Sequence, residues 1–302
     1  MTICDVHCHF FSSRFLEILV ASDRQSLPAA EHANVIAGLI GWEPPGAPEQ
    51  LADRWVRELD LHGVARAALI ASIPGDEDSV AVAVAKHPSR FVGFFMFDPT
   101  SPGAPARLER ALGEAKLRGV ALFPAMHKYR LDDDRVDAVF RAAQDHRAAV
   151  FAHCGVLTVG VRKKLGLASP FDLRLGDPLS LSVIASRYPR VPVIIPHFGA
   201  GFFREALMAV DQCPNVHLDT SSSNGWMKYH AGLTLDAVFR QAVQVAGADR
   251  LLFGTDSSFF PRGWQRQVHE AQIKAMDQAG IDEQGREKIL AGNFERLFPV
   301  QG

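Results

Sequence analysis

The chain has 302 residues, of which 47% are hydrophobic and 22% charged, enough apolar material for a substantial core and too much for a disordered chain. Its 32 basic residues stand against 34 acidic ones, so the net charge of −2 gives no reason to expect a nucleic-acid or anionic-membrane partner. No run approaches the ~18 apolar residues of a membrane span. The opening MTICDVHCHFF lacks the basic start of a signal peptide, and Cys4, Cys8, Cys154 and Cys213 show no paired spacing. The expectation is a cytoplasmic protein with reduced thiols and a small-molecule substrate.

In chain order, short β-branched or aromatic runs predict strands at Ile3–His7, Ala67–Ala71, Phe91–Phe97, Gly119–Phe123, Ala149–His153, Val191–Pro196, Val216–Asp219 and Leu251–Gly254. Several are near-continuously apolar, as parallel strands buried on both faces require. Between them, Ala106–Arg118, Asp134–His146 and Leu233–Ala246 carry apolar residues at helical spacing. Eight such alternations without a long linker predict one (β/α)8 TIM barrel, an α/β fold in a single domain spanning residues 1–302. No glycine-rich nucleotide motif follows any strand. Residues 10–63 exceed the length one barrel helix needs and include GWEPPGAPEQ, whose paired prolines oppose a helix. They are expected to form an insertion capping the barrel mouth.

The chemistry begins at Asp5-Val6-His7-Cys8-His9. Alternation along a strand places Asp5, His7 and His9 on one face, which in a barrel is the interior, and Cys4, Val6 and Cys8 on the other. Two imidazoles inside a barrel are either hydrogen-bonded core residues or metal ligands. His153, His197 and Asp256 tip the balance, because each is a ligand-type residue at the C-terminal end of a strand, where barrel enzymes build their sites.

The pieces DVHCH, FAHCG, IIPHFG, LLFGTD and the terminal GNFERLF, in this order, make the whole chain resemble the amidohydrolase superfamily. The resemblance is to the amidohydrolase-related branch that includes aminocarboxymuconate-semialdehyde decarboxylase. It implies that His7, His9, His153 and Asp256 hold a divalent metal, and that His197 orients or deprotonates an attacking water. Asp256 shares that proton transfer. Zinc suits three imidazoles and a carboxylate, and manganese and iron are alternatives. Two-metal members bridge their ions through a carboxylated lysine on the fourth strand. Here that strand reads GVALFP, with Lys128 in the loop beyond, so one ion is expected.

The resemblance implies a hydrolase cleaving a C–O or C–N bond of a lactone, ester or amide. A nonoxidative decarboxylase of an aromatic or dienoic acid is the alternative, and a catalytically inactive binding barrel a lesser one. Arg14 and Arg174 are candidates to clamp a substrate carboxylate. Trp42, Trp226, Tyr229 and Phe259 are candidates for an aromatic pocket wall, and Asp219 for support behind a ligand. Cys8 and Cys154 are read as packing residues. His87, His127, His146, His217 and His269 receive no role. A homodimer is a further expectation, as in similar proteins.

Overall fold

Near-continuous apolar runs leave a strand no wet face, so each must be covered on both sides, and closing the sheet on itself inside a ring of helices does this. The computed structural model, which describes residues 1–21, 32–222 and 224–300, has this architecture. Its strands are β1 (Ile3–Phe10), β2 (Val64–Ala71), β3 (Phe91–Phe97), β4 (Gly119–Leu122), β5 (Ala149–Ala152), β6 (Val193–Ile195), β7 (Val216–Asp219) and β8 (Leu251–Leu252). They pair in parallel in sequence order from β1 to β8. Three further backbone bonds close the seam between the ends. Val6 N–H donates to Phe253 O (2.9 Å), Asp256 N–H to His7 O (2.9 Å) and His9 N–H to Ser257 O (2.7 Å). The fold is the expected (β/α)8 TIM barrel.

Val92, Phe94, Ala121, Phe151 and Ile194 point inward and fill the barrel. Phe294 and Phe298, in and after the C-terminal helix, close its floor, where Arg66 Nη1 donates to Phe298 O (2.6 Å). Leu69, Phe95, Leu122, Val193 and Leu218 alternate outward against the helices. All four cysteines are free and buried. Among the described residues no helix is long and apolar enough to cross a membrane.

Three helices follow β1: α1 (Ser13–Ala21), α2 (His32–Leu39) and α3 (Pro48–Leu61). The loop expected over GWEPPGAPEQ ends sooner than the prolines suggest, because Pro48 occupies the first turn of α3, where its missing N–H costs nothing. That helix covers the barrel wall beside β2. Phe15, Leu19, Ile36 and Trp42 instead pack together with Val161 and Leu165, from the segment beyond β5. Residues 22–31 of the expected insertion lie outside the described residues. The helix expected at Ala106–Arg118 starts at Ala104 and widens into a π turn at Arg110–Glu114.

One irregularity decides the site. On β1, Asp5 pairs with Ala67 and Cys8 with Leu69, so three steps on one strand face two on its neighbour. The extra residue is a β-bulge, which reverses the alternation beyond it. Asp5, His7 and His9 therefore do not share a face, contrary to the alternation of the sequence. Cys4 and Val6 point into the barrel, while Cys8 and Phe10 join the outer layer. His7 and His9 line the cavity at the barrel mouth. Asp5 points the other way and is wholly buried.

The bulge is stapled by that aspartate. Asp5 Oδ1 accepts the N–H groups of His7 (2.9 Å) and Thr255 (3.1 Å), and Oδ2 accepts Thr255 Oγ1–H (2.6 Å) and Trp264 Nε1–H (2.8 Å). Burial pushes its carboxyl up to about 6, against the pull of these donors. One side chain thus ties the strand bearing His7 and His9 to the loop bearing Asp256.

Candidate metal centre

Each histidine on β1 has its outer nitrogen committed. His7 Nδ1 lies 2.7 Å from Asp219 Oδ2, a carboxylate that can only accept, so Nδ1 carries the proton. His9 Nδ1 lies 2.6 Å from Ser72 Oγ. That hydroxyl spends its one hydrogen on Ile70 O (2.9 Å) and so accepts from His9. In both rings the lone pair is left on Nε2.

The two Nε2 atoms are 3.3 Å apart, with Asp256 Oδ1 3.0 Å from His9 Nε2 and 3.6 Å from His7 Nε2. Facing lone pairs and a carboxylate repel unless a cation lies among them. Ligand atoms about 2.0–2.1 Å from a tetrahedral ion are roughly 3.3–3.4 Å from one another, so the three edges suit a divalent metal. His7, His9 and Asp256 form this metal-capable trio.

His153 stands just outside it. The side chain is buried, its ring stacks on Phe123, and its Nδ1 has no hydrogen-bond partner among the described residues. Such an orphan costs about 1–3 kcal/mol unless a ligand or water meets it. His153 lines the same cavity, its ring centroid 5.4 Å from that of His197. The donor set and the orphaned nitrogen both fit a bound ion.

Burial lowers the pKa of His153 well below the usual histidine value, with neighbouring imidazoles adding to it, and lowers those of His9 and His197. These rings are therefore neutral near pH 7, the state needed in a ligand or a base. Burial also opposes protonation of His7, but the carboxylates of Asp219, Asp256 and Asp5 together outweigh it and the net shift is upward.

Backbone strain marks the same positions. His197 (φ 57°) and Asp256 (φ 61°) both sit in the left-handed region, which costs an L-residue about 1–2 kcal/mol. Close packing enforces it. A Cβ on Gly155 would lie 2.2 Å from Gly199 O, so the segments after β5 and β6 meet backbone to backbone. A Cβ on Gly254 would lie 2.6 Å from Asp219 Oδ1.

The cavity above the trio has a volume of about 790 Å³. Phe11, Trp42 and Phe259 stack along one wall, with centroids 5.2 and 4.4 Å apart. Trp226 and Tyr229 line it as well. The arginines expected there do not. Arg14 faces solvent beside Glu17, and Arg174, 89% exposed, is forked by Asp172 two residues away. Arg14 pairs at 3.6 Å with Glu17 one turn along α1, whereas the Arg174 guanidinium is held by Asp172 within its own loop. Arg262 takes that place instead, at the mouth, its guanidinium 4.6 Å from the Phe259 centroid and donating to Asp256 O (3.1 Å).

Sequence reasoning also missed Ser72, Ser221 and Trp264. Asp219 lies where support for a ligand was expected. Lys128 follows the short helix after β4 and is not among the cavity's lining residues. His127, given no role, does line the cavity, with its Nδ1 buried and without a partner among the described residues.

Comparison with known proteins agrees with this fold. A curated relative, protein fluG of Emericella nidulans, is 27% identical over 106 residues, which are 34% of this chain and 12% of fluG, so the match spans only a small part of that relative's length. Two solved structures share the fold along the chain. A 5-carboxyvanillate decarboxylase from Novosphingobium aromaticivorans, with bound manganese, is 16% identical, with 98% of this chain and 97% of that one covered and a TM-score of 0.63. A probable 2-pyrone-4,6-dicarboxylic acid hydrolase from Acinetobacter baumannii is 17% identical, with 99% of each chain covered and a TM-score of 0.61. The amidohydrolase family model matches residues 4–300, and the chain belongs to the amidohydrolase family.

Proposed function

We propose that the protein is a mononuclear metal-dependent hydrolase that cleaves a C–O or C–N bond of a lactone, ester or amide, with His7, His9, His153 and Asp256 holding the ion. The carrying observation is His197, which lines the cavity as a neutral imidazole whose Nδ1, among the described residues, meets the two oxygens of Ser221. Its Nε2 lone pair is thereby free for a proton. Zinc is the first choice for three imidazoles and a carboxylate, with manganese, present in the decarboxylase of similar fold, the second.

A divalent ion bound there would polarise a carbonyl oxygen and make water acidic enough to ionise near neutral pH. His197 Nε2 takes the proton as the water oxygen bonds to the carbonyl carbon. When the C–O or C–N bond breaks, the same nitrogen returns the proton to the leaving atom. Asp256, 3.0 Å from His9 Nε2, is a second carrier for that proton. Phe11, Trp42 and Phe259 supply a flat apolar wall that excludes water from one side of the substrate.

A second reading, decarboxylation of an aromatic or dienoic acid, is favoured by Arg262. Its guanidinium lies beside both Asp256 and the aromatic wall, where it would seat a carboxylate. The two readings separate by product. Protein reconstituted with zinc or manganese is assayed on lactones, esters and amides for acid release, and on aromatic and dienoic acids for CO2. Acid release that is lost in His197→Ala supports the hydrolase; CO2 release from an acid replaces it with the second reading. Full turnover in His197→Ala would remove that residue from either mechanism.

A further inference from the structure

Asp219 and His197 are joined through one hydroxyl. Ser221 is fully buried. Its Oγ lies 2.9 Å from each of Asp219 Oδ2, His7 Nδ1 and His197 Nδ1. Its N–H donates to Asp219 Oδ1 (2.7 Å), and its carbonyl oxygen lies 3.3 Å from His197 Nδ1.

A hydroxyl has one hydrogen, and three neighbours compete for it. Asp219 is acceptor-only and takes it. The His7 Nδ1–H bonds to the same carboxylate at 2.7 Å, closer than it stands to the serine. The hydroxyl oxygen is then left to accept from His197 Nδ1–H. The remaining neighbour of that nitrogen, the Ser221 carbonyl, can also only accept. Both oxygens that meet His197 Nδ1 thus belong to Ser221, and both require the proton there.

We propose that Ser221 is a positioning residue that fixes the ring orientation and Nδ1–H tautomer of His197. Through it, the single buried carboxylate of Asp219 orients two histidines, His7 directly and His197 by way of the hydroxyl. The kinetic consequence rests on the reading of His197 as the base; the tautomer follows from the hydrogen bonds alone. Ser221 lies in the run Ser221-Ser222-Ser223, where nothing in the local sequence distinguishes one hydroxyl from the next.

The test uses full-length Ser221→Ala with ring-15N histidine, both freed of metal by chelator and loaded with zinc. The His197 signals are identified by their loss in His197→Gln. In the unmodified protein His197 is expected as a single Nδ1–H tautomer. In Ser221→Ala the Nε2–H form appears, zinc content stays at wild-type level because His7 keeps Asp219, and kcat falls about 10–100-fold with KM little changed. Ser221→Thr, which keeps the hydroxyl, restores the single tautomer. A single Nδ1–H tautomer in Ser221→Ala would overturn the proposal, since the backbone carbonyl would then suffice. So would an Nε2–H tautomer in the unmodified protein. If the tautomer changes as expected but His197→Ala keeps full turnover, the base assignment falls and the hydroxyl link stands.

Discussion

The barrel has a regular side and an irregular one, and the chemistry is concentrated on the second. From β2 to β5 the strands pair residue for residue without a shift. Their inward positions are apolar (Ile70, Phe94, Ala121, Phe151) and fill the barrel interior. Around the seam, β1 carries a bulge, β8 has only two residues in regular pairing, and His197 and Asp256 adopt left-handed backbone angles. Polar side chains replace apolar packing there, with Asp5 and Asp219 each binding several donors. Regular pairing supplies stability, and departures from it aim side chains at one point.

This division can be tested from its strongest consequence downward. His7→Ala should abolish turnover, because it removes one of the trio and leaves Asp219 buried without its main partner; any retained rate above background in a product assay would contradict this. On the regular side, Phe94→Ala should cost about 3–5 kcal/mol of stability. Urea unfolding measures that cost, and the remaining folded protein should hold its metal as before. Loss of metal at unchanged stability would erase the distinction between the two sides.

The regular side buries acids of its own, Asp76 and Glu77. Asp76, after β2, accepts from Ser12 Oγ (2.7 Å) and Ser79 Oγ (2.5 Å), and burial pushes its carboxyl up to about 7 from 3.8. A folded-state pKa above the unfolded one means that the native state holds the proton more tightly. The associated stability is full below about pH 4 and is lost as pH rises through about 7. The stability difference between the wild type and Asp76→Asn should therefore change by up to roughly 4 kcal/mol across that window and level off above it. A pH-independent difference would show that the carboxyl titrates normally. Smallest of all, Arg174→Ala should shift stability by less than about 0.5 kcal/mol and leave kinetics unchanged, since its guanidinium is occupied by Asp172 in solvent.

The same division explains what could be read in advance. Strands such as Phe91–Phe97 are legible because burial on both faces forces a continuous apolar run. His7, His9, His153, His197 and Asp256 are legible because polar residues at the ends of such runs need a reason. The bulge left no local mark, as DVHCH has no glycine to betray it, so the side taken by Asp5 was inferred wrongly. Ser72 and Ser221 escaped notice because serines are common in loops. Applying to hydroxyls the strand-end rule that found the histidines would have singled out both. Arg14 and Arg174 were misplaced because sequence order does not show which guanidinium a neighbouring carboxylate has already captured.

The most direct test of the metal centre is the metal content per chain, measured by elemental mass spectrometry on protein purified without chelator and reconstituted with zinc or manganese. The lone-pair geometry at His7, His9 and Asp256 predicts one ion retained through dialysis, and none in His9→Ala or Asp256→Ala. No retained ion in the unmodified protein, or equal retention in those variants, would contradict it.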